Sequence, residues 1–260
     1  MRIRPSRSGQ PRTLTPPLSV HAWLRFDAIR RLLSDVEART VLEIGVGEGS
    51  VGVLLARTYD YTGVDVDLQS LSTARKRFER HSLDVSRLLH GGPETVGERQ
   101  FDLVCAFEVL EHLQDDRLAL TDWGRLVAPG GAVIVSVPAG PGRYGKADAK
   151  AGHFRRYSRG DAEVLLSSAG LTRIRILNYG VPAGYALEKA RNVLATRQLR
   201  RRLTPEERTL ESGRWLQPPA ALARVTQAAA VPLAAIQGPF MNIDKGTGLV
   251  ALGFRDPITR

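Results

Sequence analysis

The sequence predicts an α/β fold: a doubly wound, mainly parallel sheet with helices on both faces. Three observations carry this. Short apolar runs alternate with amphipathic stretches of helical period between residues 41 and 179, as successive βαβ units do. The run Val41-Leu42-Glu43-Ile44 passes directly into Gly45-Val46-Gly47-Glu48-Gly49-Ser50, which reads as a strand, a tight turn and a helix start. A later run, Ala132-Val133-Ile134-Val135-Ser136-Val137, is apolar almost throughout, as a central parallel strand has to be.

Composition bounds the rest. The 260 residues are 43% apolar, enough for one large core with an elaboration. The net charge of +10 favours an anionic partner, whether nucleic acid, a membrane surface or a phosphorylated substrate. Arginines spread over solvated faces account for the same number. Cys105 is the single cysteine, so an internal disulfide and a cysteine zinc site are both excluded, and a reducing compartment fits. The basic stretch Met1 to Arg12 has no apolar core after it, unlike a secretory signal. No run of about 20 apolar residues marks a membrane span. The expected location is cytoplasmic.

Taken in order, residues 1–17 carry Arg, Ser, Pro and Gly without periodicity and predict a flexible basic tail. Leu18 to Val36 predicts a helix capped by Ser19, because Val20, Trp23, Leu24, Ile29, Leu32 and Leu33 recur at helical spacing. After the glycine turn, Tyr61 to Asp67 predicts a strand ending in acids, and Leu68 to Arg80 an amphipathic helix. Ser86 to His90 is a third, weaker strand before Gly91-Gly92-Pro93. Phe101 to Phe107 is a fourth. Leu113 to Val127 is helical and is stopped by Ala128-Pro129-Gly130-Gly131. Residues 132–137 form the fifth strand, Asp161 to Ala169 a helix, Leu171 to Tyr179 a sixth strand and Thr247 to Phe254 the last.

Ligands of such sheets sit at the carboxyl ends of the strands, and a turn of three glycines there suits a nucleotide-like molecule. Glu43 interrupts an apolar run, and its carboxylate needs a cleft or a partner. Two frames fit the glycines. Gly47-x-Gly49-x-x-Gly52 matches a dinucleotide fingerprint, with Asp65 for a ribose hydroxyl. That turn, however, normally places its first glycine at the strand end, here Gly45, and Ser50 then stands where the third glycine belongs. The other frame, Glu43-x-Gly45-x-Gly47-x-Gly49, uses every residue.

This second frame resembles the first motif of the class I S-adenosylmethionine-dependent methyltransferases. The resemblance continues in order through Gly63-Val64-Asp65, then Phe101-Asp102-Leu103-Val104 with Phe107-Glu108-Val109-Leu110-Glu111-His112-Leu113, then Leu126 to Gly131. It is closest to the broad methyltransferase-domain branch that includes quinone-biosynthesis enzymes. Asp148 and Gly152-His153-Phe154-Arg155-Arg156-Tyr157 resemble a GHxRRY stretch of a bacterial subgroup. The resemblance implies a Rossmann-like, seven-stranded sheet whose last strand is antiparallel. It also implies S-adenosylmethionine as methyl donor and S-adenosylhomocysteine as product. The sulfonium already activates the methyl group, so no metal is expected.

The residues then acquire expected roles. Glu43, Gly45, Val46, Gly47 and Gly49 would line the methionine end of the cofactor, and Asp65 with Val66 the ribose. The family commonly carries an acid where Gly92 stands, leaving the adenine to backbone groups or to Glu94. Phe107 and Glu108 would face the methyl group. His112 could act as a base or brace its loop. His153 is the better candidate to take a proton from an oxygen nucleophile, oriented by Tyr157. Arg155 and Arg156 could clamp an anionic acceptor; alternatively one of them pairs with Asp148 as a hinge.

The methyltransferase domain is expected over 18–180 and 245–260, with a helical substrate or lid insertion over 181–244 between strands six and seven. The insertion combines Arg197, Arg200, Arg201 and Arg202, a Thr204-Pro205-Glu206-Glu207 helix start, Trp215 and the apolar run Pro218 to Ile236. It could meet an anionic inner-membrane surface or a lipid-linked acceptor, or simply pack on the core. Nucleic acid is disfavoured, because no aromatic–basic stacking platform is present. The expected function is methyl transfer to a small or lipid-like acceptor, at oxygen. The alternatives are an NAD-dependent oxidoreductase and a non-catalytic S-adenosylmethionine-binding protein.

Overall fold

The computed structural model describes residues 16, 18–198 and 220–257. The tail expected over 1–17, apart from Pro16 alone, lies outside them, as do Arg200 to Arg202, Thr204 to Glu207, Trp215, Pro218 and the side chain of Arg197.

Seven strands form one sheet: β1 (Thr40–Ile44), β2 (Asp60–Asp65), β3 (Leu88–His90), β4 (Phe101–Phe107), β5 (Val127–Pro138), β6 (Thr172–Tyr179) and β7 (Gly248–Phe254). Their order is β3-β2-β1-β4-β5-β7-β6. The first five run parallel, and β7 is antiparallel to both β5 and β6. A dinucleotide-binding sheet of order 3-2-1-4-5-6 has no such inserted antiparallel strand. The implied architecture is therefore the one observed.

Strand alternation builds the two layers. Val41, Leu103, Cys105, Ile134 and Leu252 face one core, covered by α1 (Val20–Leu33), α2 (Gly52–Ala56) and α3 (Leu68–Arg80). Leu42, Ile44, Val104, Val133 and Ala251 face the other, covered by α4 (Asp116–Arg125) and α6 (Arg159–Ser168). The short α5 (Lys146–Ala151) follows β5 after the 3-10 turn Pro141–Arg143. The cap expected at Ser19 is in place, accepting from Ala22 N–H; Asp67 likewise accepts from Gln69 and Ser70 N–H, and Ser158 forms a capping box with Asp161.

Two elements differ from expectation. Ala128 to Gly131 does not stop a helix ahead of the fifth strand; it lies inside β5, where the register against β4 shifts between Phe101 and Leu103. Gly130, at φ +81°, supplies the left-handed turn of that irregularity. The helix expected from 113 is shorter, because Leu110–His112 forms a separate 3-10 turn ahead of α4.

Within the insertion, α7 (Ala183–Gln198) leaves the end of β6, and α8 (Ala223–Gln237) packs against α1. Gln237 ties this junction together. Its Oε1 accepts from Gly180 N–H at 3.0 Å, and its Nε2 donates to Leu24 O and Asp27 Oδ2, both at 3.1 Å. Among the described residues no helix is long and apolar enough to cross a membrane.

Candidate functional site

The glycine turn follows β1 at once. Gly45, Gly47 and Gly49 hold φ of +78°, +54° and +75°, conformations that L-residues with a Cβ rarely adopt. A Cβ on Gly45 would stand 2.5 Å from Val109 Cγ2, and one on Gly49 would stand 2.9 Å from Ala74 Cβ. These two glycines admit neighbouring segments. Gly47 is different, because a Cβ there would meet nothing within 4 Å. The concave face of the turn is open at that residue.

Asp65 stands beside it at the end of β2. Its Oδ2 accepts Gly47 N–H at 2.6 Å and its Oδ1 accepts Asp67 N–H at 2.8 Å. Burial raises its pKa, against the pull of those two donors. Val66, 66% exposed, presents apolar surface next to it. At the end of β3, Gly92 N–H donates to Glu94 Oε1 at 2.9 Å, and the Glu94 carboxylate occupies the place a side chain on Gly92 would fill. An acid thus stands at that strand end although residue 92 is glycine. An open glycine turn, an acid at the second strand end and an acid at the third match what an adenosyl ligand requires.

Glu43 is 2% exposed and turned into the core, where Oε2 accepts the Tyr61 hydroxyl at 2.6 Å. Tyr61 is the partner that the odd carboxylate needed. Burial pushes the Glu43 pKa up to about 8, although Tyr61 and Arg25 oppose it. Glu43 supports the turn from beneath: a Cβ on Gly52 would meet both Tyr61 Oη and Glu43 Oε2.

Across the sheet, Phe107 closes β4 and Glu108 follows at φ +59°, a strained conformation for a non-glycine residue. Its Oε1 accepts from Ser136 Oγ at 3.0 Å and Tyr179 Oη at 3.2 Å, and pairs with Arg25 Nη1 at 3.3 Å. Burial would raise its pKa, but the electrostatic pull of Arg25, then of His21 and His153, prevails and holds it at about 2. His21 Nε2 lies 2.9 Å from Thr247 Oγ1. Arg25 and His21, one helical turn apart on α1, were not anticipated. Their signal was two polar side chains at i, i+4 on the stripe that also carries Ala28.

The expected catalytic segment gathers here. His153 Nδ1 lies 2.9 Å from Asp148 Oδ1, and its Nε2 lies 4.0 Å from Glu111 Oε1. The His112 ring stacks edge-on against His153, with centroids 4.7 Å apart. Burial, then the neighbouring His153, lower the His112 pKa to about 4. Glu111 is fully buried, and neither of its carboxylate oxygens has a hydrogen-bond partner. Burial, and then Glu108, push its pKa well up.

The arginines follow the second of the two expected readings, and the tyrosine takes another place than expected. Arg156 is 8% exposed and grips both oxygens of Asp148, at 2.9 and 2.8 Å, while also pairing with Glu188 of α7. This is the hinge arrangement, with the guanidinium engaged inside the protein. Arg155 binds Asp116 Oδ2 at 2.9 Å and Gln114 O at 2.7 Å. The Tyr157 hydroxyl donates to Asp116 Oδ2 at 2.8 Å, so Tyr157 does not orient His153; Asp148 does. Tyr157 N–H donates to Pro138 O and Gly140 N–H donates to Tyr157 O, and the Tyr157 ring turns into the second core.

Two concavities adjoin this end. A small one of about 20 Å³ is bordered by His21, Glu108, Asp148, His153 and Glu188. A broad one of about 520 Å³ lies between Gly142–Lys146 and α7. Glu188 lines both.

The sheet order and the placed glycines and acids define a class I methyltransferase core. Residues 42–133 match the methyltransferase domain family, and the core has the fold of the class I S-adenosylmethionine-dependent methyltransferases. An uncharacterized methyltransferase of Mycobacterium tuberculosis is 34% identical over 118 residues, 44% of this chain and 58% of the relative. A ubiquinone biosynthesis O-methyltransferase of Alkalilimnicola ehrlichii is 33% identical over 134 residues, 50% of this chain and 54% of the relative. The chain thus spans little more than half of the curated relatives it matches. A Thermotoga maritima structure described as a SAM-dependent methyltransferase, possible histamine N-methyltransferase, superposes with a TM-score of 0.54 at 18% identity, covering 91% of this chain and 92% of that one. That likeness concerns the fold.

Proposed function

We propose that this protein transfers a methyl group from S-adenosylmethionine to an oxygen of a small or lipid-linked, anionic acceptor. The observation that carries the reading is the pairing, on one sheet edge, of the open Gly47–Asp65 cradle with the Glu108–His153 cluster across β1 and β4. The donor supplies a methyl on a sulfonium, ready for in-line displacement. The protein's own work is alignment and proton handling, and alignment alone can contribute about 7–11 kcal/mol.

Asp65 takes the ribose hydroxyls, and Glu94 takes the adenine amino group. The Gly45–Gly49 turn lies along the methionine end. With Nδ1 on Asp148, His153 turns Nε2 towards the acceptor and takes its hydroxyl proton. The acceptor reaches that point along the 520 Å³ groove, whose rim carries Arg143, Lys146 and Lys189 beside Tyr144 and Tyr185. Cations next to exposed aromatic rings suit an anionic group on an apolar body.

The same reading places the protein in the cytoplasm and, for a lipid-linked acceptor, against the inner membrane surface. Exposed Val225, Val231 and Ile236 of α8 support this contact. Sedimentation with anionic phospholipid vesicles, against neutral ones, tests it.

The deciding experiment is calorimetry with S-adenosylmethionine, S-adenosylhomocysteine and NAD on the wild type and Asp65→Ala. Micromolar binding of both adenosyl ligands, lost in the variant, is expected; labelled methyl transfer to lipid and small-molecule extracts then follows. Binding of NAD alone would overturn the reading. Tight adenosyl binding without turnover on any fraction would make the protein a binder rather than an enzyme.

A further inference from the structure

The buried carboxylate of Glu111 is an anomaly that methyl transfer does not explain. It is wholly enclosed, its two oxygens have no hydrogen-bond partner beyond its own backbone, and the acids Glu108 and Asp148 act on it against the charge of Arg25. Isolated buried carboxylates are costly. Such a group usually has a counterpart in a hydrogen bond, a neutralising proton or a cation.

The surroundings point to the cation. One nitrogen or oxygen from each of Glu111, His112 and His153 comes together with all three within 4.8 Å of one another. The residues come from two segments, the 3-10 turn Leu110–His112 and the loop after α5. Phe154 N–H donates to Glu111 O at 2.7 Å and clips the two together. Each histidine is already held by a further bond. His153 Nδ1 is held by Asp148 Oδ1 at 2.9 Å, itself fixed by Arg156, and the His112 ring is bonded to the backbone of Gly152. Histidines that ligate metals almost always donate their second ring N–H to a carboxylate or a backbone carbonyl, which sets the tautomer and aims the free nitrogen. Here the Asp148–His153 pair leaves Nε2 pointing at Glu111.

We propose that Glu111, His112 and His153 form a site for one divalent transition-metal ion. Two imidazoles and one carboxylate suit Zn²⁺, Mn²⁺, Co²⁺ or Fe²⁺ better than the oxygen-seeking Mg²⁺ or Ca²⁺. A metal at about 2.1 Å from each donor needs the donors to close by roughly 1 Å, within the reach of side-chain rotation. Three protein ligands leave coordination positions open, and the 20 Å³ cavity that His153 lines has room for a water molecule or an acceptor oxygen. The binding site stands independently of methyl transfer. Its use does rest on that reading: the ion would hold the acceptor hydroxyl and lower its pKa so that the proton leaves to solvent water, and His153 would then serve as a ligand in place of the base.

The test uses the full chain, stripped with chelator, titrated with Zn²⁺, Mn²⁺, Co²⁺ and Mg²⁺ by calorimetry, with the visible spectrum of the Co²⁺ form recorded. One equivalent should bind with micromolar or tighter affinity for at least one transition metal, and more weakly for Mg²⁺. Glu111→Gln and His112→Asn should each weaken it by about tenfold or more, while His90→Ala, outside the cluster, should not. Should a cluster variant fail to fold, the Co²⁺ d–d bands of the wild type decide, since nitrogen–oxygen coordination gives bands distinct from the aquo ion. No stoichiometric binding, or binding unchanged in folded cluster variants, would overturn the site. Because neither readout involves turnover, an inactive protein that binds the metal sinks only the methyl-transfer reading.

Discussion

The Tyr61 hydroxyl donates to Glu43 Oε2 at 2.6 Å inside the first core, directly beneath the glycine turn. Burial, opposed by Tyr61 and Arg25, leaves this carboxyl with a pKa of about 8 instead of 4.5. The folded protein therefore holds a proton there that the unfolded chain has released. The sign follows: between about pH 4.5 and 8 the unfolded state binds fewer protons, so stability falls as pH rises, with a slope approaching about 1.4 kcal/mol per pH unit. Thermal unfolding from pH 5 to 9 should show this loss in the wild type. Glu43→Gln keeps an acceptor for Tyr61 and should flatten the curve across that window. Parallel curves for the two proteins would mean that Glu43 is ionised in the fold.

Gly47 and Gly52 carry different burdens although both belong to the same turn region. A Cβ on Gly47 meets nothing within 4 Å, whereas one on Gly52 lies 2.6 Å from Tyr61 Oη and 2.9 Å from Glu43 Oε2. Gly52→Ala should therefore lower stability by about 1–3 kcal/mol through overpacking. Gly47→Ala should lower stability by only about 1 kcal/mol, from its left-handed backbone, yet weaken S-adenosylmethionine binding more than Gly52→Ala does. Melting curves and calorimetry on the same samples separate the two.

Much of this was legible in the sequence because the decisive residues act locally. Buried parallel strands have to be apolar runs, so β1, β4 and β5 announce themselves, while the edge strand β3 is short and reads weakly. The left-handed turn demands glycine at Gly45, Gly47 and Gly49, and Asp65 ends a strand. What sequence could not show depends on separation along the chain. Arg25 reaches Glu108 from a helix 83 positions earlier, and Gln237 reaches Leu24 O across 213. The GHxRRY residues were visible as a group, but their partners were not: Tyr157 turns to Asp116, and Arg156 to Asp148 and Glu188. Nor could the sequence show Glu111 and His112 beside His153, because two neighbours in a turn meet the third residue only when the loop after α5 folds over them.

Glu94 gives a rescue test at the third strand end. Its carboxylate stands where a side chain on Gly92 would go, and accepts Gly92 N–H at 2.9 Å. If it holds the adenine amino group, Glu94→Ala should weaken S-adenosylmethionine by about tenfold, the worth of a hydrogen bond to a charged acceptor. Gly92→Asp alone should clash with Glu94. Combined with Glu94→Ala, it should recover part of the affinity. Calorimetry on the three variants reads this, and an unaltered affinity in Glu94→Ala would leave the adenine to backbone groups.

Asp148 is the keystone of the hinge, since it holds His153 by Nδ1 and Arg156 by two nitrogens while accepting Gly145 N–H at 2.8 Å. Burial alone would raise its pKa, but these bonds with His153 and Arg156 keep it well below the ordinary carboxylate range. Its contribution is present above the unfolded pKa of about 4 and is lost as pH falls below it. Asp148→Asn keeps the shape but leaves the buried Arg156 with Glu188 as its remaining acid partner. A loss of about 3 kcal/mol at neutral pH is expected for a broken buried pair, together with a shallower fall in stability on acidification than the wild type shows. Urea unfolding at pH 7 and pH 3.5 measures both effects. If the variant matched the wild type at pH 7, the Asp148–Arg156 pair would be contributing nothing beyond a neutral hydrogen bond.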